Sequence, residues 1–232
     1  MSGAQLIAVA RAQGRTALDE LAGKQLLASF DVAVPKSVVV PDAGAVAGAI
    51  AKLKPPFALK VMSPEILHKS DAGGVKIGLK TAAEVEQAIA AMAALPAIKS
   101  ARVEGYLVEE MAPAGQEIVV GAVRDPDFGP MVMVGLGGIF VEVLADVAFR
   151  ICPITRLDAE EMLAELKGAA ILQGARGRPA VAQDAIIDVL LKVGGENGLL
   201  MKHADDFKEA DINPLIVSAT GAVAVDARFI LT

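Results

Sequence analysis

Three observations predict a mixed α/β (α+β) protein: helical and strand patterns alternate along all 232 residues, no low-complexity tract or internal repeat interrupts them, and the last two strand patterns are separated by a tight hairpin connection. Residues 1–15 read as an extension ahead of the first helical pattern, which opens at Thr16-Ala-Leu-Asp19. A strand is predicted at 36–40, and Asp42 can cap a second helix with Val46, Ile50 and Leu53 on one face. After a strand at 57–61, Thr81-Ala-Ala-Glu84 forms a capping box. The helix behind it carries Val85, Ala88, Ile89 and Met92 at i, i+3, i+4 and i+7. Strands follow at 106–111, 117–123, 131–135 and 139–144, then a helix with Ile186, Val189, Leu190 and Val193 on one stripe. The final strands, 213–218 and 222–226, are joined through Ala219-Thr220-Gly221. Met111-Ala-Pro-Ala-Gly115 is a turn-forming break near the midpoint and reads as a hinge between two lobes, whose cleft would be a natural small-molecule site.

Composition narrows the function classes. A net charge of −6 and a pI near 5.0 lack the basic footprint of a nucleic-acid binder. The 54% hydrophobic content and mean hydropathy of +0.51 come from Ala and Val. The longest apolar run, 131–141, stops at Glu142, well short of the roughly 20 residues of a spanning helix. The N-terminus has no signal-peptide pattern, so a soluble, cytoplasmic protein without membrane partners is expected. Cys152 is the single cysteine, which permits neither an internal disulfide nor a cysteine-cluster metal site. With 3% aromatics and no Trp, there is little from which to build a base-stacking platform.

Four places combine polar groups with unusual backbone. Lys60 lies inside an apolar strand pattern, where it either faces solvent or projects into a cleft suited to phosphate. Its strand leads into Ser63 to Gly74, a polar loop containing His68-Lys69-Ser70-Asp71, restricted by Pro64 and ended by Gly73-Gly74. Glu109-Glu110-Met111 and Glu117 bracket the midpoint turn. Gly135-Leu136-Gly137-Gly138 reads as a β-turn or bulge and not as a dinucleotide-binding loop. In Asp211-Ile212-Asn213-Pro214, alternation puts Asp211 and Asn213 on one side of an extended segment, with Asp226 on the facing strand; these are the hard oxygen ligands that Mg²⁺ prefers. His203, the other histidine, reads as a surface residue.

Taken together, the strand Lys, the HKSDAGG loop, the VEEM segment with a Glu seven residues past Glu110, and the DINP hairpin closing on VDAR resemble the ATP-grasp fold. More closely, they resemble the β subunit, or fused nucleotide-binding domain, of ADP-forming acyl-CoA synthetases, relatives of succinyl-CoA synthetase. The resemblance runs from about Thr16 to Thr232 and includes RDPDFGPMVMVGLGGIFVEVLADVAFRICPI. It implies an N-terminal lobe at 16–108, a C-terminal lobe at 109–232, and a nucleotide in the cleft between them. Lys60 would bind the nucleotide phosphates, backbone groups from Glu109 through Met111 would meet adenine, and Glu117 would bind ribose. Asp211, Asn213 and Asp226 fall where the family places Mg²⁺ ligands. His68 matches the residue phosphorylated on a swinging loop. Glu142, Arg176 and Arg178 match family-typical stretches without an assigned role.

The implied activity is acyl-CoA + ADP + Pi ⇌ acid + CoA + ATP, with ATP/ADP and Mg²⁺ on this chain. The implied partner is an α subunit or domain that carries CoA-binding and ligase domains and holds CoA and the small carboxylic acid, giving a hetero-oligomer. The Met1 start favours a separate β subunit over part of a fused chain. Two other readings stand beside it: an ATP-grasp-like structural or nucleotide-sensing module of a protein acetyltransferase, and another ATP-grasp ligase working through an acyl phosphate. Neither gives the HKSD loop a purpose.

Overall fold

Among the described residues every ladder between the strands is antiparallel, which puts the chain on the α+β side of the expected class. The computed structural model describes residues 1–66, 68–138, 145–174 and 179–232. The strand expected at 139–144, with Glu142, and the residues Arg176 and Arg178 lie outside the described residues. The chain divides into two units, Pro35–Ala112 on the one hand and Met1–Val34 with Pro113–Thr232 on the other.

In the unit Pro35–Ala112, β1 (Ser37–Val40), β2 (Phe57–Met62), β3 (Val75–Leu79) and β4 (Gly105–Glu110) form a sheet ordered β1-β4-β2-β3. One face packs Phe57, Leu59, Val61, Tyr106 and Val108 with Val85, Ile89 and Met92 of the helix Ala82–Ala93, the stripe that the heptad-like spacing predicts. Thr81 caps that helix by accepting the Glu84 N–H at 3.2 Å, an interaction worth about 1 kcal/mol. The Glu84 carboxylate accepts from the Lys80 N–H instead of closing on Thr81. The helix expected after Asp42 is fragmented. Asp42 does accept from the Ala45 N–H, but a 3-10 turn, four α-helical residues (Val46–Ala49) and a second 3-10 turn follow. Gly44 and Gly48 each cost about 1 kcal/mol of helix propensity there, and the segment is held by burial of Val46 and Ile50 with Ala43, Ala45, Ala49 and Leu53 packed beside them. The strand β3 was not predicted, because Gly78 at φ +79° breaks its pattern.

The second unit holds β5 (Gln116–Asp125), β6 (Gly129–Leu136), β7 (Val147–Ile151), β8 (Phe207–Ser218), β9 (Gly221–Ala224) and β10 (Arg228–Leu231), ordered β10-β8-β5-β6-β7 with β9 also on β8. Its core covers one sheet face, where Ile118, Val120, Ala122, Val132, Val134, Ile212 and Leu215 meet residues of the helices Arg156–Glu165 and Gln183–Gly194. Residues 1–15 are not an extension. They form the helix Gly3–Ala12, closed by a Ser2–Gln5 capping box, and Leu6, Ile7 and Ala10 enter this core. Downstream, the Leu18 N–H donates to the Phe229 carbonyl and the Leu231 N–H to that of Thr16, both at 2.9 Å. The units therefore depart from the 16–108 and 109–232 division, since the first 34 residues bury their apolar stripe with the C-terminal part. One of the two passages of the chain between units, 112 to 113, falls inside the turn-forming segment Met111–Gly115. Among the described residues, no helix is long and apolar enough to cross a membrane.

Candidate functional site

Lys60 stands opposite Leu107 on the face of the four-stranded sheet that carries Ala58, Leu107 and Glu109, away from that unit's apolar core. Its Nζ lies 3.1 Å from Glu109 Oε2, and the two residues are 5% and 1% exposed. The outward, solvated alternative for Lys60 is thereby removed. At that separation and an effective dielectric of about 20, the attraction is about 5 kcal/mol, comparable to the several kcal/mol each ion loses on desolvation. The pair is near neutral for stability, yet costly to break from one side. The Glu109 carboxylate thus serves Lys60, a role that its 49-residue separation hid from the sequence.

The neighbouring segment is also engaged within its unit. The Glu110 N–H donates to the Lys36 carbonyl at 2.9 Å and the Met111 N–H to that of Pro56 at 3.1 Å. Glu110 Oε1 accepts from the Lys54 N–H, and Met111 Sδ from the Gly78 N–H. Neither of these two amides is available to a base while those bonds hold.

The loop leaving Lys60's strand presents His68 to solvent. Consecutive turns shape it: Ala72 N–H to His68 carbonyl at 3.2 Å, Gly73 N–H to Ser70 at 3.0 Å and Gly74 N–H to Lys69 at 2.7 Å. The glycines have different jobs. Gly73 adopts φ +71°, whereas a Cβ on Gly74 would lie 2.5 Å from Val61 Cγ1, so Gly74 is what lets the loop close on β2 through the Val61 N–H···Gly74 carbonyl bond of 2.8 Å. His203, in contrast, is no surface ornament. It packs edge-on against Phe30 and Phe207, each 6.0 Å between ring centroids, with Nδ1 2.9 Å from Asp206 Oδ2.

In the other unit, Glu117 is exposed on the sheet face opposite the core. The Gly137 N–H donates to its carbonyl at 2.8 Å, and a Cβ at 137 would lie 2.8 Å from Glu117 Cβ. The glycine cluster is therefore a turn, as expected, with the added function of leaving room beside Glu117. Asp211 and Asn213 share the same face, but within β8 and not at its end, since that strand begins at Phe207 and not at 213. Between Ile118 and Val120 the β5 register shifts, so Asn213 and Pro214 together face Val119; proline suits such a bulge because it has no N–H to lose. Asp226 lies in the link between β9, which ends at Ala224, and β10; it is not on a facing strand as expected.

Burial, and after it the charges of Asp226 and Glu209, push the Asp211 carboxyl above its ordinary 3.8, against the opposing pull of Arg228. Among the described residues, no three His, Cys, Asp or Glu side chains form a metal cluster. The repelling pair Asp211/Asp226 with the amide oxygen of Asn213 nonetheless fits a hard divalent cation that takes its other ligands from phosphates and water. A raised folded-state value means that metal-free stability is lost as pH rises above the ordinary carboxylate range. Asp211→Asn should flatten that loss and, near neutral pH without metal, raise the melting temperature by about 2–4 °C, followed by calorimetry with chelator.

Comparison with known proteins bears on the whole chain. The ATP-grasp domain family matches residues 9–231. The acetate–CoA ligase [ADP-forming] I subunit beta of Pyrococcus furiosus is 42% identical over 229 residues, covering 98% of this chain and 97% of that one. The dinucleotide forming acetyl-coenzyme A synthetase 1 of Ca. Korarchaeum cryptofilum, solved with coenzyme A and Ca-AMPCP, superposes with a TM-score of 0.91 at 37% identity, over 98% of this chain and 99% of that one. A second structure of that enzyme, with coenzyme A and Mg-AMPPCP and a phosphohistidine segment pointing towards the nucleotide binding site, gives 0.84 at 36% identity over 99% and 100%. A family match over nearly the whole chain, together with relatives this similar in sequence and in fold, shows that the chain belongs to the ATP-grasp family.

Proposed function

We propose that this chain is the nucleotide-binding β subunit of an ADP-forming acyl-CoA synthetase, passing a phosphoryl group between ADP/ATP and His68 in acyl-CoA + ADP + Pi ⇌ acid + CoA + ATP. The observation that carries the reading is an exposed histidine on the loop that leaves the strand of a buried, carboxylate-paired lysine, in a chain 42% identical to a β subunit of that activity over 98% of its length. Toward ATP, the N–P bond of phosphorylated His68 breaks as a β-phosphate oxygen of ADP bonds to phosphorus, and the imidazole departs with the bonding electron pair on its ring nitrogen. Lys60 offsets phosphate charge during the transfer, and Glu117 takes ribose hydroxyls. Asp211, Asn213 and Asp226 would hold Mg²⁺, which supplies further charge neutralisation when bound. Glu109, Glu110 and Met111 frame the base.

The CoA-binding and ligase functions belong to an α partner in a hetero-oligomer, which holds the carboxylic acid and CoA. A relative named as a subunit beta supports that division. Mg-ADP at a hundredfold excess over Kd should raise the melting temperature by about 5–10 °C, less without Mg²⁺. No shift in folded protein would remove the reading. The purified chain alone should make no acyl-CoA, and activity should appear on adding the partner.

A further inference from the structure

The helix Glu20–Ala28 carries a buried ion pair that the proposed chemistry does not use. Lys24 Nζ lies 2.7 Å from Glu20 Oε1, and both side chains are 2% exposed. Gly23 lies on the same helix face, and a Cβ there would come within 2.9 Å of the Ala227 carbonyl oxygen. That face is laid directly on the backbone of the residue after Asp226. The chain on either side of the helix grips the same stretch: the Leu18 N–H donates to the Phe229 carbonyl and the Ala224 N–H to that of Ala33, both at 2.9 Å.

Methionine and glutamine would fill the same volume without burying two charges, and such replacements are often neutral or stabilising. What the ion pair alone supplies is fixed charge and fixed geometry beside a backbone that brings Asp226 near Asp211. We propose that Glu20 and Lys24 are positioning residues for Asp226, holding its carboxylate in place to receive the nucleotide's divalent cation. This rests on the reading that Asp226 serves that cation.

The test uses the full chain. In ligand-free protein, the melting-temperature shifts of E20Q/K24M and of D226N should be non-additive by about 2 °C or more when combined; a smaller departure from additivity overturns the proposal. In a Mg²⁺ titration of ADP stabilisation, E20Q/K24M should raise the half-saturating Mg²⁺ concentration about five- to tenfold, with protection restored at saturating metal. A change under about twofold overturns the pair's role, because a merely structural pair would not move this value. Should E20Q/K24M not fold, E20D, which keeps both charges and withdraws the carboxylate by one methylene, is held to the same criteria. If the unmodified protein shows no Mg-ADP shift, the nucleotide reading falls and the proposal with it. If that shift is present and the variants behave additively, only the role of Glu20 and Lys24 falls.

Discussion

The His68→Ala protein should bind Mg-nucleotide as the parent does and, with its partner, lose at least about three orders of magnitude in turnover, because a covalent carrier has no substitute once its nucleophile is gone. The loss should fall on transfer and not on binding or folding. His68 is exposed, its carbonyl and not its ring closes the Ala72 turn, and the sheet below is closed by Gly74 and Val61. Truncating an exposed side chain of this kind moves stability by about half a kcal/mol at most. Incubating the parent with Mg-ATP should leave one acid-labile phosphate, discharged by ADP and mapping to His68. His203, wedged between Phe30 and Phe207, should remain unlabelled. Near-normal turnover in His68→Ala with the partner present, or label on His203, would sink the mechanism while leaving the family assignment intact.

What was legible in the sequence follows from which interactions are local. Strands whose sequence is dominated by aliphatic or aromatic residues, such as β2, β4 and β5, are predicted to within three residues, and so is the stripe on Ala82–Ala93. The misses have physical causes. The helix Arg156–Glu165 buries only Ala159, Met162 and Leu163 among charged neighbours, so its periodicity is faint. β8 begins six residues before the expected start because Lys208, Glu209 and Asp211 mask its alternation, and β10 is four residues long. Residues 1–15 read as an extension because the surfaces that the short helix Gly3–Ala12 packs on come from distant parts of the chain. At the candidate site, residue types were visible while their pairings were not. Glu20 and Lys24 stand at the ordinary spacing of a solvated helix pair, and nothing local signals that both are buried. Likewise Glu109 read as a hinge residue because the antiparallel register that brings it to Lys60 is a property of the sheet, not of either strand.

That register sets up the most demanding test of Lys60. Lys60→Met should lower stability by about 3–5 kcal/mol, since it strands the Glu109 carboxylate in a buried position, and should abolish Mg-ADP protection. The two losses have different origins and can be separated. Lys60→Met/Glu109→Gln removes the pair as a unit, so the folding loss, read by urea denaturation, should be largely recovered, as expected when a buried ion pair is replaced whole. Nucleotide protection should not return, because the phosphates still lack their cation. Glu109→Gln alone should destabilise the unit to a similar degree and, at temperatures where the protein stays folded, weaken nucleotide protection by less than Lys60→Met does, since the ammonium is retained but held less firmly. The decisive comparison is thus the double variant against the parent. Recovery of both folding and Mg-ADP protection in the double variant would make Lys60 a structural partner of Glu109 only, and phosphate binding would have to be sought elsewhere on the chain. Recovery of folding without protection assigns the pair two separable tasks, with Glu109 holding the lysine in place and Lys60 applying its charge to the nucleotide.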